Sequence, residues 1–323
     1  MSEETQLRSK VPAHLASLGL VDYLAKRFRY QTAEAWHDLI LEGKVTVNGN
    51  SVPPETILRQ GDLVSYSVIL REPPVDRNIR ILHEEGTFLV ADKPGQLPSH
   101  ADGNFIKNTF IYILGEMLRS KGWKGEAKLV HRLDRETSGL MVVAKDKKSH
   151  QALVQQFEKG LVEKEYETVV KGDLAEEGFE VAGAIGRDEQ SEISVRQKVV
   201  PEGTPFSKPA RTLFRKIAGL RGYTHLRCIP KTGRTNQIRV HLDSIGHPVV
   251  GDKLYGRTDA EFLAYLRHVK AGGDPGWKGV LESDRQLLHA SKLAFAHPVT
   301  GQKISFAAEL PADMKDFIEN HQV

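Results

Sequence analysis

The segment Arg71-Glu72-Pro73-Pro74-Val75-Asp76 most limits how this chain can fold. Proline has no backbone donor and a fixed φ, so two in succession resist helix and sheet alike. Such a stretch reads as a linker. It divides the 323 residues unequally. A chain of that length suits two domains, one of them small. The predicted layout is a small unit over 13–70, a linker over 71–77 and a larger body over 78–323.

Residues 1–12 are expected to form a loose tail. Val21, Leu24, Ala25 and Phe28 then recur at the spacing of an amphipathic helix. A second helix is predicted from Thr32, a good N-cap, to Gly43, a good C-cap, burying Trp36, Leu39 and Ile40. Val45 and Val47 alternate with polar residues ahead of Asn48-Gly49, a strong hairpin signal. Gly61-Asp62 marks a turn before a strand from Leu63 to Leu70.

The larger body is strand-rich. Strands are predicted over Thr87–Ala91, Gly139–Ala144, Tyr166–Val170, Thr212–Lys216, Thr224–Ile229 and Leu293–Phe295, with helices over Ser149–Lys159 and Ala260–Val269. Strands outnumber helices without alternating regularly with them. The expected class is therefore α+β, with a mixed, largely antiparallel sheet rather than a doubly wound one.

Several function classes drop out on composition. No run approaches 18 apolar residues, so no transmembrane helix is expected. Met1–Leu20 is polar, carries Glu3 and Glu4, and lacks the character of a signal peptide. The single cysteine, Cys228, permits no disulfide framework and reads as a small strand residue. A cytoplasmic setting is expected. His241, His289 and His297 match no zinc spacing, and no metal is expected.

Net charge is only +3, but Gly203 to Leu242 contains no Asp or Glu. That stretch holds Lys208, Arg211, Arg215, Lys216, Arg221, Arg227, Lys231, Arg234 and Arg239. One-signed charge over such a length suits phosphates, and equally suits a solvated basic strand face. The segment from His131 to Leu140 is polar yet runs directly into the apolar strand Leu140–Ala144. It reads either as a functional loop carried on a rigid scaffold or as a surface salt-bridge network of Arg132, Asp134, Arg135 and Glu136.

His131-Arg132-Leu133-Asp134 followed by Thr137-Ser138-Gly139 resembles the catalytic motif of the RluA family of pseudouridine synthases. Other segments resemble further motifs of that family, in the same order. They are Asp92-Lys93-Pro94-Gly95 with Leu97-Pro98, Lys164-Glu165-Tyr166, Lys231 to Leu242, Gly251 to Gly256, and Leu288-His289-Ala290 with His297-Pro298. The resemblance covers about residues 80 to 310. Val21 to Ala25, Leu39 to Gly49 and Gly61-Asp62 resemble the S4 RNA-binding domain.

The resemblance implies a pseudouridine synthase fold with a catalytic cleft, preceded by a small α/β S4-like domain. It implies an isomerase that breaks the N1–C1′ bond of a uridine and rejoins the base through C5. Atoms are conserved, so no cofactor is implied. Asp134 is the implied catalytic carboxylate, and Arg239 its partner, able to hold a carboxylate bidentately. Tyr166 is the implied active-site tyrosine, packing on the flipped base with its hydroxyl available for proton transfer. Arg132 is associated with opening the RNA, without which a stacked uridine is unreachable. Lys208, Arg211, Lys231 and Arg234, with Lys26 and Arg27 of the small unit, are the expected RNA contacts. His131 is expected to be structural, Leu133 to pack in the core, and Gly139 and Gly233 to serve turns.

The implied substrate is large-subunit ribosomal RNA first and transfer RNA second; a monomer is expected. A non-catalytic RNA-binding relative and a glycosidic hydrolase are the other classes. The hydrolase usually needs two carboxylates in acid and base roles. Two departures from the resemblance stand out. Gln31-Thr32-Ala33-Glu34 occupies the start of the second helix, where S4 domains usually place basic residues and serine. Residues 1–80 hold ten basic and ten acidic residues, leaving Lys26, Arg27, Arg29 and Lys44 as the candidate basic patch. Asn236 stands where the RluA family commonly has His, and Asn keeps a hydrogen-bonding side chain.

Overall fold

The structure is a computed structural model describing residues 4–28, 31–69, 72–102 and 105–323. Arg29, Leu70, Arg71 and the first three residues of the expected tail lie outside the described residues. The chain divides into two compact units, Met1–Pro74 with His100–Asn108, and Val75–Ser99 with Thr109–Val323.

The first unit begins with β1 (Glu4–Lys10), followed by α1 (Leu20–Arg27), α2 (Ala33–Leu41), β2 (Val45–Val47), β3 (Asn50–Ser51) and β4 (Leu63–Ile69). The strands form one sheet in the order β1-β4-β2-β3. The expected loose tail is corrected here. Residues 4–10 pair antiparallel with β4, Lys10 opposite Leu63 and Glu4 opposite Ile69, covering an otherwise open sheet edge. β1 is polar, and its Leu7 packs on the core, so it carries little apolar signal.

Thr32 caps α2 by accepting the Ala35 N–H, and Trp36 and Ile40 are its buried residues. Asn48 and Gly49 both adopt positive φ, the condition for a tight two-residue hairpin turn. Glu72 and Pro73 of the linker are tied down rather than free. The Glu72 carboxylate accepts the backbone N–H groups of Ile106, Lys107 and Asn108, and the Asn108 amide donates to the Pro73 carbonyl. This is how residues 100–108, assigned by the sequence to the larger body, come to fold with the smaller unit.

The second unit runs β5 (Arg80–Glu84), β6 (Phe88–Lys93), α3 (Phe110–Ser120), β7 (Lys128–Leu129), β8 (Ser138–Ala144), α4 (Lys147–Glu158), β9 (Glu163–Lys171), β10 (Gly178–Arg187) and β11 (Gln197–Val200). It continues β12 (Lys208–Leu220), β13 (Tyr223–Pro230), α5 (Gln237–Ser244), α6 (Asp259–Lys270), β14 (Leu288–Ala296), β15 (Lys303–Ala307) and α7 (Ala312–Asn320). One sheet runs in the order β11-β10-β12-β13-β9-β14-β8-β6-β5, with β15 added to β14 and β7 to β8. Its pairings are antiparallel except for β14 beside β8. The α+β class with a mixed, mostly antiparallel sheet is thus as expected.

Strand β8 is buried along its whole length. Met141 and Val143 pack with Phe110, Ile113 and Leu114 of α3, whereas Leu140, Val142 and Ala144 pack with Leu153 of α4. Period-two alternation between two apolar faces makes β8 a rigid carrier for the loop that enters it. Cys228 is buried in β13, and burial pushes its thiol up, which leaves it a packing residue. No helix among the described residues is long and apolar enough to cross a membrane.

Candidate active site

Asp134 lies in the loop between β7 and β8, and its immediate neighbours Leu133 and Arg135 are bolted to the scaffold. The Ser99 hydroxyl donates to the Leu133 carbonyl at 2.6 Å and accepts its N–H at 3.1 Å, while the Leu133 side chain is buried. The Lys93 ammonium, fully buried, donates to the carbonyls of Pro94, Leu97 and Arg135. Burial, reinforced by the charge of Arg285, pulls Lys93 down to about 7, against the counter-pull of Asp134 and two other carboxylates.

Glu136, adjacent in sequence to the loop's tip, is buried against Lys253 at 2.9 Å and accepts the Gln286 N–H at 3.1 Å. Thr137 accepts from the Gln286 amide, and Ser138 bonds the buried His289. The surface salt-bridge reading is therefore corrected. Arg135 does reach Glu136 at 3.2 Å, but Asp134 pairs with a residue 105 positions away.

Gly139 is also corrected: it serves a strand contact rather than a turn. It sits in β8 at φ 111°, where a Cβ would run into the Ala290 backbone on parallel β14. His131 has a structural place. Its Nε2 accepts the Val142 N–H and its ring stacks on Phe157, while burial and then the charge of Lys164 take it down to about 3.

The partner of Asp134 is Arg239, whose Nη1 donates to Asp134 Oδ2 at 2.9 Å. The expected bidentate grip exists, but on another acid. Arg239 Nε and Nη2 meet the two oxygens of Asp252 at 2.6 and 2.9 Å. Asp252 also accepts the N–H groups of Leu254 and Tyr255, and the Tyr255 ring lies under the guanidinium with its centroid at 4.9 Å. Burial opposes the charge on Arg239, yet Asp252 and then Asp134 hold it above its ordinary value. Burial likewise pushes Asp252 up, and the attraction of Arg239 leaves it below its ordinary value on balance.

Arg239 is carried on α5, which opens at Asn236 in the left-handed conformation (φ 56°). Asn tolerates that conformation better than most residues. Its amide oxygen accepts from Arg239 and its amide nitrogen donates to the Tyr255 hydroxyl. The departure from His at this position thus leaves a residue fully engaged in holding the guanidinium.

Asp134, Arg239 and Tyr166 all line one cleft of about 920 Å³. Tyr166 is on β9, and burial, followed by the charge of Asp134, raises its phenol above the ordinary value. The hydroxyl therefore stays protonated and is a donor, not a base, near neutrality. Arg132, Lys231 and Arg234 line the same cleft, joined by Lys159, which sequence reasoning passed over, and by Lys164, which it quoted in a motif without giving it a role.

Lys208 and Arg211 fall outside the cleft lining, and Arg211 is held bidentately by Glu180 at 2.7 Å. The basic stretch is thus partly neutralised across strands, since Arg227 also meets Glu165 at 3.5 Å. Lys26 and Arg27 are exposed in the last turn of α1, in the smaller unit. Asp252 was the main omission. It stands in the Gly251–Gly256 motif, but nothing in the sequence says that it faces Arg239.

A carboxylate held by an arginine in a cleft lined with cations is an arrangement that suits an anionic ligand. Comparisons narrow that reading. Residues 87–244 match the family model described as RNA pseudouridylate synthase. Ribosomal large subunit pseudouridine synthase D of Vibrio vulnificus (strain CMCP6) is 31% identical over 99% of this chain and 95% of its own length. The protein of that name from Zymomonas mobilis (strain ATCC 31821 / ZM4 / CP4) is 34% identical over 90% of each chain. The solved structure of human RNA pseudouridylate synthase domain containing 1 is 26% identical, covers 74% of this chain and 86% of its own, and superposes with a TM-score of 0.56. The chain belongs to the RNA pseudouridylate synthase family, in its RluA branch. It is accordingly an isomerase that acts on RNA.

Proposed function

We propose that this enzyme isomerises uridine in large-subunit ribosomal RNA, with Asp134 as its catalytic carboxylate. The observation that carries the reading is the 2.9 Å contact from Arg239 to a single oxygen of Asp134 in a cation-lined cleft beside Tyr166. Arg239 occupies Oδ2, and Oδ1 has no hydrogen bond among the described residues. That oxygen is free to work on the sugar. The N1–C1′ bond breaks, the base turns, C5 bonds to C1′, the C5 proton leaves, and N1 gains a proton. The carboxylate serves equally by attack on C1′ or by assisting a glycal route.

Tyr166 supplies a ring for the detached base and a protonated hydroxyl. Arg132 opens the RNA, while Lys231 and Arg234 hold phosphates near the target. Lys208 extends that track, and Arg211 joins it only by leaving Glu180. The S4-like unit adds contacts through Lys26 and Arg27. The target is ribosomal because relatives that match almost end to end bear that name; transfer RNA is the alternative. The enzyme works in the cytoplasm as a monomer, without a metal.

The test is tritium release from RNA labelled at uridine C5, comparing wild type with Asp134→Asn. Release by wild type on ribosomal RNA and none by the variant is expected. Release on transfer RNA alone moves the substrate. Equal release by both proteins removes Asp134 from the chemistry. No release from either RNA, under conditions where wild type binds, leaves an RNA-binding relative.

A further inference from the structure

We infer that Lys164 is a phosphate-binding residue of the cleft, placed to take the backbone phosphate of the nucleotide whose base lies on Tyr166. The inference rests on the RNA-isomerase reading above. Lys164 precedes Tyr166 by two residues on β9, and both line the cleft. Same-face residues of a strand stand about 7 Å apart. That is comparable to the span from a nucleobase to its own phosphate. The intervening Glu165 meets Arg227 and Lys292 instead.

Partial burial, with no partner for its ammonium among the described residues, sets Lys164 apart from Lys231, which is exposed, and from Arg234, whose Nε donates to the Pro209 carbonyl. Many cations of this unit already have a carboxylate: Lys171 has Glu282, Lys253 has Glu136, Lys145 has Glu84 and Arg211 has Glu180. Among the described residues the Lys164 ammonium has no ion pair and no hydrogen-bond acceptor. It is nonetheless partly buried, and burial followed by the charge of Arg234 lowers its pKa. Its ammonium lies against the 231–236 loop, since a Cβ on Gly233 would stand 3.5 Å from Nζ. Asp134 and Glu158 also line the cleft, but neither forms an ion pair with it.

A desolvated cation without a counter-ion costs the empty protein stability. Such an arrangement persists where a ligand supplies the missing charge. A phosphodiester is the anion that the substrate brings to every nucleotide. The site therefore recognises backbone, not base, and its contribution is independent of sequence.

The experiment compares wild type, Lys164→Met and Lys164→Arg. Methionine keeps most of the stem and removes the charge. Three quantities are read: Tm without RNA, the salt dependence of binding to a large-subunit ribosomal RNA transcript, and tritium release with its KM and kcat. Wild-type release is measured first, because its absence refutes the RNA-isomerase reading and not this inference.

The expected Met variant melts no lower than wild type and binds about ten- to hundredfold more weakly, as for loss of a charged hydrogen bond. Its log–log salt slope is shallower by about 0.7, and its loss falls on KM more than on kcat. The Arg variant keeps the wild-type slope. A Met variant with wild-type slope and KM overturns the inference. So does a fall in its Tm, which would mean that the charge is satisfied within the fold.

Discussion

Arg239 sits between two carboxylates that differ in freedom. The Asp252 side chain is 0% exposed, and its oxygens are taken by the guanidinium and two backbone N–H groups. The Asp134 side chain is 32% exposed and gives Arg239 one contact. Asp252 therefore fixes the arginine, and the arginine orients Asp134. Removing one partner of a buried pair strands the other charge, at about 3–5 kcal/mol. Asp252→Ala is expected to lose about that much in urea denaturation and to lower kcat, because Arg239 loses its anchor. An unchanged kcat would show that Arg239 holds its place without Asp252.

The sign of the pH effect follows from the shift. Asp252 lies below its ordinary value in the folded protein, so its stabilisation is present above the unfolded value, about pH 4, and fades as pH falls through the folded one. The stability gap between wild type and Asp252→Asn is expected to be wide at neutral pH and narrower near pH 3. A gap of constant width would remove the ionised pair as its source. Asp134 and Arg239 were legible because motif residues carry them. Asp252 and the Glu180–Arg211 pair were not, because contacts across the fold are absent from local sequence pattern.

At the scale of elements, the loop depends on the parallel contact between β8 and β14. His289 stands opposite Ser138 and Ala290 opposite Gly139. Gly139→Ala adds a Cβ at φ 111° against the Ala290 backbone. Left-handed strain costs about 1–3 kcal/mol, and overpacking adds to it. The variant is expected to lose about 3 kcal/mol or more in urea denaturation and to release tritium more slowly. Gly233→Ala is the control, since its nearest neighbour would be the flexible end of Lys164 at 3.5 Å. Equal tolerance at both positions would mean that the strands can part without cost.

Elements with strong end signals were legible. Thr32 caps α2, and a capping box from Thr258 and Glu261 opens α6. α5 was missed because it starts inside a polar motif at a left-handed Asn. β1 was missed because a polar edge strand is defined by its partner, not by its own residues.

At the scale of the molecule, net charge says little and its pairing says much. The chain carries only +3, and the acid-free stretch from Gly203 to Leu242 is offset by acids from neighbouring strands. Lys231 and Arg234 line the cleft with no carboxylate partner among the described residues. Arg211 is exposed but already neutralised by Glu180. Counterion release counts only cations that exchange small ions for phosphate, at about 0.7 in slope per contact on single-stranded RNA. The double variant Lys231→Ala with Arg234→Ala is expected to flatten the slope by about 1.4, twice the single-contact value. Lys26→Ala with Arg27→Ala is expected to flatten it as well, in proportion to the phosphates held by the smaller unit. Arg211→Ala is expected to leave the slope where it was, because removing a neutralised charge frees no phosphate contact. If Arg211→Ala flattens the slope as far as the cleft variant does, the RNA runs over the outer face of β12. The pairing of surface charge would then be no guide to where the substrate lies.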